Sequence, residues 1–483
     1  MGEGMTLNLK GLNGGEVTIS DDQLEALPGQ LRGALIQPGD AGYDESRTLW
    51  NAMHDRRPGL VVRALGTGDI CAAVNFAREN KLRIAVKGGG HQIAGLAVAD
   101  GALLLDLGQM RAVHVDPDAR TVQVDPGALL SDIDRETELY GLAMPLGINS
   151  TTGISGFTLG GGFGWTTRKF GLTIDNLLSA VVVTADGKIL RTSETEHPDL
   201  FWAIRGGGGN FGVVASFEFS LHPLGPEILS GLIVHPMDDA PELMAKWRDI
   251  CAKAPDELTV WTVLRQAPPL PFLPEEWHGR EILVFGACYA GDMAEGEVAM
   301  KELRSLGNPI ADVIAPHPLH GWQAAFDPLL TPGARNYWKS HDFTSFSDEA
   351  IAVILDAARN LPDPQSEIAL AHLGGAMTRV APDAMAWPQR AAHFTMNVHT
   401  RWEDPAKDEQ CIGWARGLFD ESAPYSAGTV YVNFMPGDEE GRVREAYGGN
   451  LDRLRKVKAK YDPENLFRVN HNIEPEVVAH AAQ

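Results

Sequence analysis

Three glycine-rich loops in series constrain this chain more than any other feature. They are Lys87-Gly88-Gly89-Gly90-His91, the stretch from Gly147 to Gly164, and Gly206-Gly207-Gly208-Gly209-Asn210-Phe211-Gly212. The third contains a GxGxxG match from Gly207 to Gly212. A dinucleotide fingerprint needs a strand before that match and a helix after it. Here a helical Leu200–Ile204 precedes it and an alternating, strand-like Val213–Leu221 follows. The order is reversed, and the doubly wound dinucleotide fold is excluded. No GxxxxGK[ST], GxSxG or HExxH occurs, and the histidines are dispersed. P-loop chemistry, an α/β-hydrolase and a metal centre are therefore unsupported.

The first loop follows a β-rich Leu82–Val86. Its glycines let backbone amides approach and point at an anion, with His91 at the lip. Taken singly, each loop has a plain structural explanation: a tight turn, close sheet packing, a surface loop. Three in this order point to one large cofactor held along its length.

With 483 residues, 44% hydrophobic and 22% charged, the chain can bury large cores in two or three domains. A net charge of −23 argues against nucleic acid and anionic membrane surfaces. Cys71, Cys251, Cys288 and Cys411 are scattered, suiting neither a disulfide scaffold nor zinc. Met1-Gly2-Glu3-Gly4-Met5 shows no signal peptide, and no apolar run approaches the ~20 residues of a membrane helix. The expectation is a reduced, cytoplasmic protein without a membrane partner, a monomer or homodimer.

A helix is expected within Asp21–Ala34. Val61–Arg63, Leu82–Val86 and Ala102–Leu107 read as strands, with a helix over Ile70–Asn80 capped by Asp69. Hairpins are expected at Ala112–Val115/Thr121–Val124 and Ala180–Thr184/Ile189–Arg191, and a helix at Ser131–Tyr140. After Pro223 and Pro226 the texture changes. Residues 226–424, with Glu281–Tyr289 as a strand and Asp348–Arg359 as a helix, read as a second, substrate-facing domain. Residues 425–483 read as a return to the first, through a strand at Val430–Asn433 and a helix at Gly449–Lys460. The basic run Arg453, Arg455, Lys456, Lys458, Lys460 reads as a solvated face, and Asp175-Asn176 as a turn.

The ordered motifs KGGGH, STTGISGFTLGGGFGW, RKFGLTIDNL, DLFWAIRGGGGNFGVV, YVNF and YDPENLFRVNHNI make the chain resemble the FAD-linked oxidases of the vanillyl-alcohol-oxidase superfamily. The likeness is narrower to their berberine-bridge-enzyme-like branch of bacterial and fungal type. It is dense over about 50–225 and 425–475. The resemblance implies an α+β fold: a two-subdomain, PCMH-type FAD-binding domain over 1–225 with its core at about 50–225, interrupted by an α/β domain over 226–424. That second domain's antiparallel sheet would roof the flavin.

The resemblance further implies FAD linked covalently through His91, with Lys87, Gly88, Gly89 and Gly90 around the pyrophosphate. Gly147, Ser150, Thr151, Thr152, Gly153 and Gly156 would line pyrophosphate and ring. Phe211, Gly212, Val213 and Val214 would meet the adenosine half, and Asn470 and Asn472 would lie beside the isoalloxazine. Tyr431 would be the catalytic base or base partner.

Two residues depart from the family's pattern. Asn149 stands where doubly linked members carry a cysteine, implying a single link. Phe170 stands where members commonly carry a tyrosine, which puts that part of the mechanism in question. The implied activity is oxidation of an alcohol, sugar or secondary-metabolite substrate by hydride transfer to flavin, with oxygen, giving hydrogen peroxide, or another acceptor as reoxidant. A drug-sequestering flavoprotein and an amine oxidase on the same fold are the alternatives.

Overall fold

The computed structural model describes residues 7–477; the Met1–Met5 stretch read for a leader lies outside them. Two sheets frame the N-terminal part. Strands Leu60–Arg63, Leu103–Asp106 and Ile84–Lys87 run parallel, with Ala34–Ile36 antiparallel at one edge. The parallel strands are continuous apolar runs, as strands covered on both faces must be. An antiparallel five-stranded sheet has the order Ile189–Ser193, Leu177–Val183, Val213–Ser220, Thr121–Val124, Val113–Asp116.

The third large sheet is antiparallel and eight-stranded, and it draws every strand from between Glu227 and Trp402. Its centre pairs Leu258–Gln266 with Glu367–His372, and that strand with Phe394–Trp402. The sheet separates two environments by simple alternation. Ile368, Leu370, Met396 and Val398 join a core with helices Ala240–Lys253, Met293–Arg304, Asp348–Ala358 and Asp408–Ser422. Glu367, Ala369, Ala371, Thr395, Asn397 and His399 face the opposite way, into a cavity. No helix among the described residues is long and apolar enough to cross a membrane.

Three expectations are corrected. Val430–Asn433 is not a strand: it has no ladder partner, and a short 3-10 turn forms at Val432–Phe434. Asp69 does not cap its helix, which starts at Thr67; its carboxylate accepts from the backbone N–H of Arg32, Gly33 and Leu65. The helix expected within Asp21–Ala34 is present at Asp21–Ala26; it stops ahead of Pro28, where a 3-10 turn follows. The basic run is not uniformly solvated. Lys458 is fully buried, donating to Asp462 and to the carbonyls of Asn210 and Phe467, so it anchors the C-terminal return.

Candidate active site

The glycine loops meet because they lack side chains. A Cβ on Gly89 would lie 2.5 Å from the Gly153 nitrogen, and one on Gly153 would lie 2.3 Å from the Gly89 nitrogen. First and second loops therefore pack backbone against backbone, and no other residue fits at either position. Together with the third loop they wall a cavity of about 350 Å³, in the range of ligand sites. Its floor includes Val213, Val214 and Phe467, and its roof is the cavity face of the eight-stranded sheet.

Most sequence-expected residues line this cavity: Gly88, Gly89, Gly90 and His91; Gly147, Thr152, Gly153 and Gly156; Gly212, Val213 and Val214; Asn470; and Tyr431. Five stand off its wall. The Lys87 ammonium is held by the Ser46 carbonyl and lies 3.8 Å from Asp106. Ser150 gives its backbone N–H and hydroxyl to Asp327. Phe211 is core, and Asn472 is set back with its Oδ1 buried and unpartnered. Thr151 touches the cavity through His91, whose Nε2 is 2.9 Å from the Thr151 hydroxyl. Phe170 also stands apart, stacked on His222 at 4.2 Å, so the missing tyrosine leaves no gap in this wall.

His91 lies against Trp50, with ring centroids 4.9 Å apart. Trp50 is tied back to the same loop by its backbone N–H to the Gly90 carbonyl, 3.1 Å. Burial pushes the His91 imidazole down to about 3, so it is neutral near neutral pH.

Tyr431 is buried, and its oxygen accepts from Gly162 N–H (3.2 Å) and from Asn433 Nδ2 (2.9 Å). Gly162 can aim its N–H there because it holds φ +78, and any Cβ would lie 2.4 Å from Thr173 Oγ1. Burial pushes the phenol up to about 12, against the opposing pull of those two donors. Phe163 and Phe434 hold the ring, at 4.8 and 4.9 Å between centroids.

Sequence reasoning expected an antiparallel roof but named none of the residues on its cavity face. Glu367 is the one carboxylate on the described cavity wall. Burial would raise it, but Arg265 at 2.6 Å and His399 outweigh that and push it down to about 2. His399 Nδ1 is 3.3 Å from Glu367, and its Nε2 is 3.2 Å from Asn336 Oδ1. Asn397 Oδ1, Trp261 Nε1 and Trp338 Nε1 are buried without partners on this wall. The missed signal was Phe394-Thr395-Met396-Asn397-Val398-His399, an apolar–polar alternation in a strand buried on both faces.

The residues fit a long cofactor with a polar and a flat part. Added Cβ atoms at Gly156 and Gly209 would meet no protein atom within 4 Å, and the unpartnered Asn470 Oδ1 and Tyr447 hydroxyl border the same space.

Comparisons with known proteins agree. Residues 58–193 match the family described as FAD binding domain, and residues 430–474 the one described as Berberine and berberine like. The uncharacterized FAD-linked oxidoreductase YgaK of Bacillus subtilis is 32% identical over 456 residues, spanning 92% of this chain and 98% of its own. (R)-6-hydroxynicotine oxidase of Paenarthrobacter nicotinovorans is 30% identical over 477 residues, spanning 93% and 98%. The crystal structure of 6-hydroxy-D-nicotine oxidase from Arthrobacter nicotinovorans superposes with a TM-score of 0.84 at 28% identity, covering 92% of this chain and 98% of that one. A chitooligosaccharide oxidase at 23% identity and TM-score 0.82, covering 94% and 100%, shares the fold. The α+β, PCMH-type architecture expected from the motifs is the one found.

Proposed function

Because the chain belongs to the FAD-linked oxidoreductases with a berberine-like C-terminal segment, we propose that it oxidises a hydroxyl-bearing small molecule between the glycine loops and the eight-stranded roof. FAD, when bound, supplies a two-electron acceptor that oxygen or another oxidant restores. Gly88–Gly90, Gly153 and Gly156 would cradle it, and His91 would tether it.

The observation that carries the reading is the state of Tyr431. Two donors already occupy its oxygen, so its own O–H is left to donate into the cavity. Held near 12, it is a phenol at working pH and orients the substrate oxygen by hydrogen bond rather than waiting as a phenolate. Glu367, near 2, is too weak a base to stand in for it.

A second reading has its own support. Trp50, Trp261 and Trp338 line the same cavity as its one described carboxylate, Glu367, a mixture of aromatic rings and negative charge that also suits an amine cation. One relative is named for a hydroxynicotine, while structural neighbours are named for oligosaccharides. Anaerobic mixing with alcohols, oligosaccharides and cyclic amines separates the two readings. Bleaching of the flavin by hydroxyl substrates alone supports the first. Bleaching by amines alone replaces it with the second.

A further inference from the structure

The geometry points to Asn149 and Thr151 as a positioning relay that fixes the tautomer of His91 and leaves Nδ1 as the nitrogen that bonds the cofactor. The inference rests on the reading that His91 is the tether.

The backbone N–H of Thr151 can only donate, and it lies 3.1 Å from Asn149 Oδ1. That orients the Asn149 amide, with its carbonyl oxygen toward Thr151. The Thr151 hydroxyl lies 2.7 Å from the same oxygen, which can only accept, so the hydroxyl proton points to Asn149. Thr151 Oγ1 is then an acceptor toward His91 Nε2, 2.9 Å away, and Nε2 carries the imidazole proton. Nδ1 keeps its lone pair, has no hydrogen-bond partner among the described residues, and belongs to a ring on the cavity wall. Trp50 holds the plane of that ring. Asn149, in the place of a second tether, thus serves the first.

Attachment balances as follows. His91 Nδ1 forms a bond to a ring-methyl carbon of the flavin, which loses one C–H bond. The Nε2 proton also leaves. The two electrons pass to dioxygen, which with those two hydrogens becomes hydrogen peroxide. Linked His91 then has no N–H, and Nε2 becomes an acceptor. The Thr151 hydroxyl can turn from Asn149 and donate to it, so a hydroxyl serves both states and an alkyl group neither.

The test uses purified protein as expressed. Acid precipitation gives the fraction of flavin bound covalently, and NMR of the isolated flavin peptide gives the linked nitrogen. We expect a fully covalent wild type joined through Nδ1, and Thr151→Ser to match it. Thr151→Val should retain FAD but lose at least ~tenfold in the rate of attachment, about 1.4 kcal/mol. Asn149→Ala frees the hydroxyl to donate to Nε2, which puts the imidazole proton on Nδ1 and should slow attachment. A wild-type link through Nε2 overturns the relay whether or not any variant folds. So do a Thr151→Val and an Asn149→Ala that both match wild type in rate and isomer. Complete release of flavin from wild type by acid instead overturns the tether itself.

Discussion

Tyr431 shows how one side chain's surroundings decide its chemistry. With its hydroxyl kept near 12 by burial, its ionisation lies above the range in which the enzyme works. The rate of flavin reduction should therefore be flat from pH 6 to 9 as far as this group is concerned. A limb near pH 7–8 that vanished in Tyr431→Phe would show a far lower value and a standing base. The same variant should lose roughly 10²-fold in the reduction rate, the low end of what such proton-handling groups contribute. Its flavin content should be unchanged, since phenylalanine keeps the ring packed against the second loop and gives up only that loop's bond from Gly162 N–H. Equal loss of both, read by stopped-flow and by the flavin-to-protein absorbance ratio, would make it structural. At Gly89, substitution by alanine forces the two loops apart. Gly89→Ala should lose most bound FAD, while Gly14→Ala, far from the cavity, should not.

At the scale of elements, helix Leu130–Glu138 meets helix Leu319–Gln323 through a contact in which one group, Asp134, senses pH. Asp134 is buried, accepts from Gln323 Nε2 at 3.3 Å, and is pushed up to about 7 by burial, from an ordinary 3.8. Between those values the unfolded chain releases the proton and the folded one keeps it. Its contribution to stability is therefore whole below about pH 4 and is lost as pH rises to about 7. Asp134→Asn should melt several degrees above wild type at pH 8 and level with it near pH 4; a uniform shift would mean that the carboxylate does not titrate there. Elements like this helix were legible in the sequence because periodicity and turn residues mark them. The reversed helix–loop–strand order around Gly207–Gly212 also excluded the wrong fold from local pattern alone. What was not legible depended on partners distant in the chain. Val430–Asn433 reads as a strand by composition, yet Asn433 is claimed by the carbonyls of Gly156 and Phe157. Glu367 acquires its place on the cavity wall only when its strand pairs between Leu258–Gln266 and Phe394–Trp402.

Across the whole molecule, two buried arginines join the cofactor half to the roof. Arg390 makes a two-pronged pair with Asp175 at 2.7 and 2.8 Å, which gives the Asp175-Asn176 turn a second duty. Arg168 donates to the carbonyls of Leu258, Leu373, Ala254 and Pro255, with no carboxylate in contact among the described residues. Arg168→Met would leave those carbonyls unpaired in the interior, a cost of at least ~2 kcal/mol. It should lower the unfolding temperature while leaving the covalent flavin fraction intact. This seam fixes the distance between the glycine loops below and the Glu367–His399 wall above, and so the space in which a substrate can lie. The central claim is that a substrate in this space gives two electrons to the flavin. Anaerobic titration of the purified yellow protein with alcohols, sugars and amines tests it most directly. The account predicts that a hydroxyl compound bleaches the flavin band completely, more slowly in Tyr431→Phe, and that admitting air restores it. Stoichiometric binding of such compounds with no bleaching would contradict it and leave a flavoprotein that sequesters its ligand.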